Sequence, residues 1–249
     1  MVKKIVGTGV LLVLALALQA GVKMYTLKSP DGKVKLEVTA GQGIAYSLFY
    51  DGRLLLKPSR IALHTDLPEA DHWENIRITG TKQRHVSETV QAPFYRVKEF
   101  GIDCNELELR LNNGFSLLMR AYNDGMAYRF VAGRKGEMTV VEERAEFNFA
   151  DDFEAYIPYS TNPKDPWNMA FQNFYTKAPL TQYNTELPAF LPLTVDAGAV
   201  KLTLLESDLE AYPGMFVRGD GKTPALKGVF AAYPQETFKN KWRCQETVK

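Results

Sequence analysis

The sequence is poor in the residues that build metal centres, disulfide frameworks and nucleic-acid surfaces. Its 249 residues include only two cysteines and three histidines, which excludes a disulfide-rich scaffold and shows no zinc-ligand spacing. The 30 basic and 29 acidic residues leave a net charge of +1 without basic clusters, so we expect no nucleic-acid partner. Cys104 and Cys244 are compatible with one disulfide or with two separate thiols.

Catalytic signatures are absent as well. There is no Gly-x-Ser-x-Gly elbow, Walker loop or dinucleotide fingerprint. The acid pair Glu142-Glu143 is adjacent in sequence, and neighbours in an extended strand point to opposite faces, so the pair forms no shared site. We interpret these two residues as solvated loop charges, and His64 and His72 as surface or loop histidines. No self-sufficient catalytic set is visible, so enzyme activity of this chain alone is left open.

The N-terminus, by contrast, carries a clear signal. Lys3 and Lys4 precede an uncharged apolar run over residues 11–18, and Ala20 supplies a small residue at the cleavage edge. This order predicts a secretory signal peptide over residues 1–20, and it makes residues 21–249 the mature chain. The apolar run is shorter than the ~20 residues of a membrane span. We therefore expect an exported protein without membrane attachment after cleavage.

Alternation of apolar and polar residues with period two dominates the mature sequence. Residues 33–39 (KVKLEVT) and 106–111 (ELELRL) are typical of half-buried strands. Asp-Gly and Asn-Asp-Gly turns follow residues 46–50 and 115–121, as expected of hairpins. Helical patterning is limited to one or two turns at residues 207–212. The pattern predicts an all-β fold, a large antiparallel β-supersandwich with few or no helices.

One segment, residues 159–188, breaks this pattern. It contains four of the 13 prolines together with several aromatic residues, and it shows no clean period. Long irregular segments on a rigid sheet often carry function. Packing of the loop onto the sandwich by its aromatic side chains is an equally good interpretation.

Four segments, in order along the chain, resemble glycoside hydrolase family 97. The first is Ser-Pro-Asp-Gly-Lys at residues 29–33 with the strand and Asp-Gly turn at 46–52, and the second is Asn-Glu-Leu-Glu-Leu at 105–109. The third and most specific is RAYNDGMAYRF at 120–130. The fourth is Glu-Ser-Asp-Leu at 206–209 with Tyr-Pro-Gly-Met at 212–215. The resemblance extends over nearly the whole mature chain.

The resemblance implies an exported α-glucosidase or α-galactosidase of Bacteroides-type bacteria, hence the periplasm or cell surface of a Gram-negative bacterium. Such enzymes have an N-terminal β-supersandwich, a catalytic (β/α)8 barrel and a bound Ca²⁺. The chain matches the sandwich, so we expect a non-catalytic supporting domain that contributes a loop to the substrate pocket. The implied partners are the missing barrel and a saccharide with α-linked glucose or galactose. The alternative is a free-standing carbohydrate-binding module.

The resemblance also supplies candidate site residues. Gln172 occupies the position of a family glutamate that reaches the Ca²⁺ site, so the resemblance implies a calcium ligand only when the barrel is present, and no cofactor for this chain alone. Aromatic side chains suit stacking on sugars and would serve equally in a domain interface. The predicted substrate-binding residues are Trp167, Phe171, Asn173, Phe174 and Tyr175, and no catalytic residue is predicted.

Overall fold

The computed structural model describes residues 23–167, 172–207, 209, 212–233, 236–239 and 244–247. The predicted signal peptide lies outside these residues. The strands are β1 Lys23–Lys28, β2 Val34–Gly41, β3 Gly43–Tyr50, β4 Arg53–Thr65, β5 Ile78–Gln91, β6 Glu99–Leu111, β7 Phe115–Tyr122, β8 Gly125–Ala132, β9 Val140–Asn148, β10 Glu154–Ile157, β11 Thr176–Pro179, β12 Leu193–Ala197, β13 Val200–Leu204, β14 Met215–Gly219, β15 Ala225–Phe230, β16 Glu236–Lys239 and β17 Cys244–Thr247.

These strands form one large sheet and three smaller ones, all antiparallel. The seven-stranded sheet has the order β1-β2-β3-β4-β9-β15-β14, and the sheet β5-β6-β7-β8 packs against its β1 and β2. The sheet β11-β10-β12-β13 is joined to β14 by backbone bridges from Tyr159 to Ala189 and from Ala189 to Val217. β16 pairs with β17. The prediction of an all-β antiparallel sandwich is confirmed.

Alternation along the strands produces the core. β2 buries Val34, Leu36 and Val38 at every second position, and β7 does the same with Leu117 and Met119. Successive side chains of a strand point to opposite faces, so each strand offers one apolar row. β2 and β7 lie against each other, and their two rows belong to one continuous core.

The segments that carry the family resemblance hold the two packed sheets together. Asn105 in β6 donates from Nδ2 to the carbonyl oxygen of Lys28 in β1, at 2.9 Å. The amide of Asp31, in the turn after β1, donates to Oδ1 of Asn123 in the β7–β8 turn, at 3.0 Å. Both contacts cross from the four-stranded sheet to the edge of the seven-stranded sheet. These motif residues therefore have a structural role.

A second motif contact lies on the outer face of the four-stranded sheet. The carboxylate of Glu106 is buried between two guanidinium groups, with Oε1 2.7 Å from Arg84 Nε and Oε2 2.8 Å from Arg120 Nε. The three residues stand side by side on β5, β6 and β7. Charge-assisted pairs of this kind are stronger than neutral hydrogen bonds, so they fix the register of the three strands.

Several polar residues are placed differently from the prediction. His64 lies within β4, where its ring contacts Trp73 and its Nδ1 is 2.7 Å from Asp71 Oδ1. Glu142 and Glu143 lie in β9, so their interpretation as loop charges is wrong. The reason is that β9 pairs with β4 along this stretch, and the pairing extends the strand beyond its apolar part.

The remaining sequence expectations concern Cys104 and the helical turn. Cys104 is buried in β6 as a free thiol, and burial raises the pKa of that thiol, which makes it a poor nucleophile. Of residues 207–212, Asp208, Glu210 and Ala211 lie outside the described residues, and the rest are not helical. In the described part of the chain the helices are two short 3-10 turns, Trp73–Asn75 and Leu180–Gln182, and no helix is long and apolar enough to cross a membrane.

Candidate functional site

The irregular segment forms an open depression beside the sheet β11-β10-β12-β13. Its volume is about 680 Å³. The lining side chains are mostly uncharged and polar, with aromatic and small apolar groups between them. They are Tyr159, Ser160, Thr161, Gln172, Asn173, Phe174, Thr176, Ala178, Gln182, Asn184 and Leu187. Every one of them lies within residues 159–188, the stretch that the sequence singled out.

Tyr159 and Tyr183 hold in place the wall of this depression that Asn184 and Leu187 form. The rings of Tyr159 and Tyr183 meet edge to face, with centroids 5.0 Å apart. The Tyr183 hydroxyl donates to the carbonyl oxygen of Val217 at 2.8 Å and lies 3.0 Å from that of Leu187. The Tyr159 hydroxyl accepts the backbone N–H of Asn184 at 2.7 Å. The turn is thus held at Asn184 by Tyr159 and at Leu187 by Tyr183.

A glycine in β14 makes room for this arrangement. A Cβ atom added to Gly219 would lie 2.7 Å from Cγ and 2.8 Å from Cβ of Tyr183, well inside van der Waals contact. The stem of the Tyr183 side chain therefore packs directly against Gly219 of β14. Because the ring is fixed by its hydroxyl and by Tyr159, the position of the wall depends on the absence of a side chain at Gly219.

The electrostatics of the depression are neutral. Burial raises the pKa values of the Tyr159 and Tyr183 phenols above their usual range, so both stay protonated at neutral pH. The described residues that line the depression include no carboxylate and no imidazole. Glycoside hydrolysis needs two carboxyl groups across the scissile bond. This surface can bind a neutral, hydroxyl-rich ligand, and it cannot supply that pair.

The structure brings together three of the predicted site residues. Gln172, Asn173 and Phe174 line the depression, with Phe174 fully exposed and Asn173 donating from Nδ2 to the carbonyl oxygen of Tyr159. Tyr175 follows next along the chain, is 45% exposed, and donates its hydroxyl to the carbonyl oxygen of Pro192. Its side chain is not part of the lining.

The other two predicted residues are not placed in the depression. Trp167 is partly buried and packs edge to face on Phe216, with ring centroids 4.9 Å apart, so it acts as packing here. Phe171 lies outside the described residues. The sequence did not indicate the other eight lining residues individually, among them Tyr159, Gln182 and Asn184. The segment's irregularity was the sole signal for them, because their roles arise from contacts that are distant along the chain.

The described residues do not fit a calcium site. Ca²⁺ takes six to eight oxygen ligands, most of them carboxylates or carbonyls. Among residues whose placement is described, no group of three Asp, Glu, His or Cys side chains lies close enough to hold a metal ion. Gln172 offers one neutral amide oxygen in the depression. Calcium therefore has no part in what this chain's own residues are proposed to do.

Two carboxyl groups, that of Glu143 in β9 and that of Glu206 after β13, have raised pKa values. Burial raises the pKa of Glu143, which accepts a 2.8 Å hydrogen bond from the Tyr212 hydroxyl. Burial likewise raises the pKa of Glu206, whose Oε2 accepts the N–H of Met215 at 2.7 Å. Glu206, Tyr212 and Met215 belong to the fourth resembling segment. The bond between Glu206 and Met215 is thus internal to the segment, and Tyr212 joins the segment to Glu143 of β9.

Fold and depression together define a β-sandwich domain with an open depression whose described lining residues are uncharged. The glycosyl-hydrolase 97 N-terminal family matches residues 27–246. The chain belongs to this family of N-terminal domains.

Known relatives agree with this assignment. The chain is similar to a retaining alpha-galactosidase of Bacteroides thetaiotaomicron, with 39% identity over 229 residues, which covers 89% of this chain and 34% of the relative. A probable retaining alpha-galactosidase of Streptomyces bingchenggensis is 26% identical over 158 residues, covering 62% of this chain and 24% of the relative. The chain thus spans about a third or less of the length of these curated relatives.

Solved structures show the same fold. A family 97 enzyme from Pseudoalteromonas sp. strain K8, in complex with acarbose, superposes with a TM-score of 0.69 at 18% identity, over 83% of this chain and 32% of that one. A beta-arabinopyranosidase superposes with a TM-score of 0.71 at 20% identity, over 84% and 35% of the two chains. At these identities the likeness concerns the fold alone.

Proposed function

We propose that this domain supports the (β/α)8 catalytic barrel of an exported α-galactosidase and that the depression forms one wall of its substrate pocket. The observation that carries the proposal is the composition of the depression. Phe174 presents a fully exposed ring beside the amides of Gln172, Gln182 and Asn184. Amide groups both donate and accept hydrogen bonds, as sugar hydroxyls require, and an exposed ring offers a flat apolar surface.

Binding without catalysis follows from the same residues. A wall that lacks carboxylates can position a sugar by hydrogen bonds and stacking, while the acid and the nucleophile come from the barrel. Tyr159 and Tyr183 act by holding the Asn184 turn in place. The proposed substrate is a saccharide with α-linked galactose rather than α-linked glucose, because the 39% identical relative is an alpha-galactosidase.

Export is part of the proposal. Residues 1–20 have the basic, apolar and small-residue order of a signal peptide. We propose that they direct the chain to the periplasm or cell surface and are then removed. A free-standing carbohydrate-binding module is not favoured, since the chain matches an N-terminal domain and corresponds to only part of each relative.

A domain graft tests the proposal. Residues 21–249 would replace the matching N-terminal segment of the Bacteroides thetaiotaomicron relative, and hydrolysis of p-nitrophenyl α-galactoside would be measured. We expect turnover by the graft and none by the purified chain alone. Phe174→Ala in the graft should raise KM by about 2–12-fold and leave kcat within about twofold, because an aromatic contact contributes about 0.5–1.5 kcal/mol to binding.

Phe94→Ala is the matched control. Phe94 is 97% exposed, like Phe174, but it lies on the β5–β6 turn and not in the depression. The control should leave KM unchanged. Equal KM values for the Phe174→Ala and Phe94→Ala grafts would show that the depression is not part of the substrate pocket. Turnover by the isolated chain would contradict the supporting role.

A further inference from the structure

The hairpin of β5 and β6 extends beyond the sheet to which it belongs. β6 pairs with β7 from Cys104 to Arg110, whereas its pairing with β5 continues outward to Glu99. Residues 87–103 therefore form a two-stranded arm, with β5 on one side and β6 on the other. Nearly all of its residues are exposed on both faces. A two-stranded ribbon is marginally stable in water without a third strand or a packed face.

The end of the arm carries large apolar side chains. Phe94 is 97% exposed, Tyr95 69% and Val97 53%, and Val90 and Phe100 on the flanking strands are also exposed. An isolated exposed residue needs no explanation, but a cluster of large apolar groups on a projecting element marks an interaction site. The arm thus has the features of a contact element.

The free edge of β5 is unusually long for an unprotected strand. β5 runs from Ile78 to Gln91, and in the described part of the chain it pairs with β6 alone. Its outer edge presents a row of backbone donors and acceptors that can template another strand. It contains no proline or bulge near its centre that would block such pairing.

The sequence of β5 is complementary to itself. In an antiparallel pair of two β5 strands with Val86 on the twofold axis, Arg84 of one copy faces Glu88 of the other, and the reverse pair forms on the far side of the axis. Arg84, Val86 and Glu88 alternate with their neighbours, so all three project from one face. Moving the axis to His85 would place two imidazoles opposite each other and Arg84 opposite Val86, and its charge pairs would join Lys82 to Glu88 without the forked geometry of a guanidinium.

We propose that two copies of this chain associate through their β5 strands in this register. The two four-stranded sheets then become one continuous eight-stranded sheet. In the same register Gln91 of one copy lies beside Thr81 of the other, so the aromatic turn that follows β5 lies near the start of the partner's β5. A twofold pairing is closed, because each copy has one β5 edge and both edges are used.

The depression is remote from this edge. The four-stranded sheet with β5 packs on β1 and β2, whereas the depression adjoins the sheet bridged to β14 at the other end of the seven-stranded order. Association through β5 and a catalytic barrel over the depression therefore use different surfaces. The association is independent of the function proposed above.

Sedimentation velocity of the purified chain, at concentrations from about 1 to 200 μM, tests the proposal. We expect a concentration-dependent dimer. Glu88→Lys places a like charge opposite Arg84 at both symmetry-related positions, and like charges directly opposite each other destabilise a strand pair. This variant should raise the dissociation constant at least tenfold. Glu88 is exposed and has no partner strand on its outer edge, so circular dichroism should show an unchanged fold.

The control is Glu99→Lys. It makes the same charge change on the same arm, but Glu99 lies on β6, away from the β5 edge. Its dissociation constant should stay within twofold of the parent value. A chain that remains monomeric at 200 μM would overturn the proposal. So would a dimer that Glu88→Lys leaves intact, or one that Glu99→Lys weakens equally.

Discussion

Replacing Glu106 with glutamine is expected to lower the free energy of unfolding by about 2–3 kcal/mol. The Glu106 carboxylate is buried between the guanidinium groups of Arg84 and Arg120, with both contacts shorter than 3 Å. Removal of its charge leaves two cations close together without their shared partner, and breaking a buried ion pair is costly. Both arginines keep some contact with solvent, which places the cost below the 3–5 kcal/mol of a fully buried pair.

Glu108→Gln is the matched control. Glu108 lies two residues further along β6 on the same face, is about a quarter exposed, and has its nearest partners, Ser116 and Arg110, at 3.4 Å. Its substitution should change stability by less than about 0.5 kcal/mol. Urea unfolding followed by tryptophan fluorescence measures both variants. An equal, small loss of stability in the two variants would show that the ion pairs of Glu106 with Arg84 and Arg120 do not stabilise the fold specifically.

The Glu106 effect should depend on pH with a definite sign. The hydrogen bond from Arg84, and then that from Arg120, lowers the pKa of Glu106 below its value in the unfolded chain. A group of this kind stabilises the fold above its unfolded pKa of about 4.3, and the stabilisation is lost as the pH falls through the folded pKa. The difference in free energy of unfolding between the parent chain and Glu106→Gln should therefore be constant near pH 7 and shrink below about pH 4.

Gly219→Ala is expected to have a comparable cost of about 2–3 kcal/mol. The added methyl group would lie 2.7 Å from Cγ of Tyr183, at the stem of the side chain rather than at a flexible end. The ring cannot move away without losing its hydroxyl contacts to Val217 and Leu187 and its edge contact with Tyr159. Overpacking of a fixed site costs about 1–3 kcal/mol, and lost hydrogen bonds add to it.

The comparison for this variant is Gly101→Ala. Gly101 also lies in a strand, has ordinary backbone geometry, and has open space where a Cβ would stand. Its substitution should be neutral or slightly stabilising. Hydrogen exchange provides a second measurement, since the Asn184 amide that donates to Tyr159 should exchange faster in Gly219→Ala alone. Unchanged exchange together with unchanged stability would mean that Tyr183 does not hold the wall of the depression.

The sequence predicted those parts of the fold in which one face of a strand is buried. β2 and β7 show clean alternation because every second residue enters the core. β5 does not: Val86 is its one buried residue, so its run of polar side chains carries no periodic signal. The strand exists because β6 pairs with it along its length. The sequence of β5 alone therefore does not predict this strand, because what determines it is the sequence of β6, with which it pairs.

The residues of the candidate site likewise include some that the sequence could predict and some that it could not. Gln172, Asn173 and Phe174 could be proposed because they are close together in sequence and resemble a family motif. Tyr183 could not, since its contact with Gly219 joins residues 36 positions apart and its hydroxyl bond to Val217 joins residues 34 positions apart. Glu143 was misplaced for the same reason, because the strand that contains it pairs with β4, where Leu63 lies opposite it and 80 positions away in the chain.

The contacts of Asn105 with Lys28 and of Asn123 with Asp31 have a consequence for how relatives are compared. These residues fasten one sheet to another and stand apart from the depression. Chains that share them are expected to share a scaffold, whichever sugar or linkage their enzymes attack. Differences in substrate should instead be sought in the residues that line the depression, where a change costs the scaffold little.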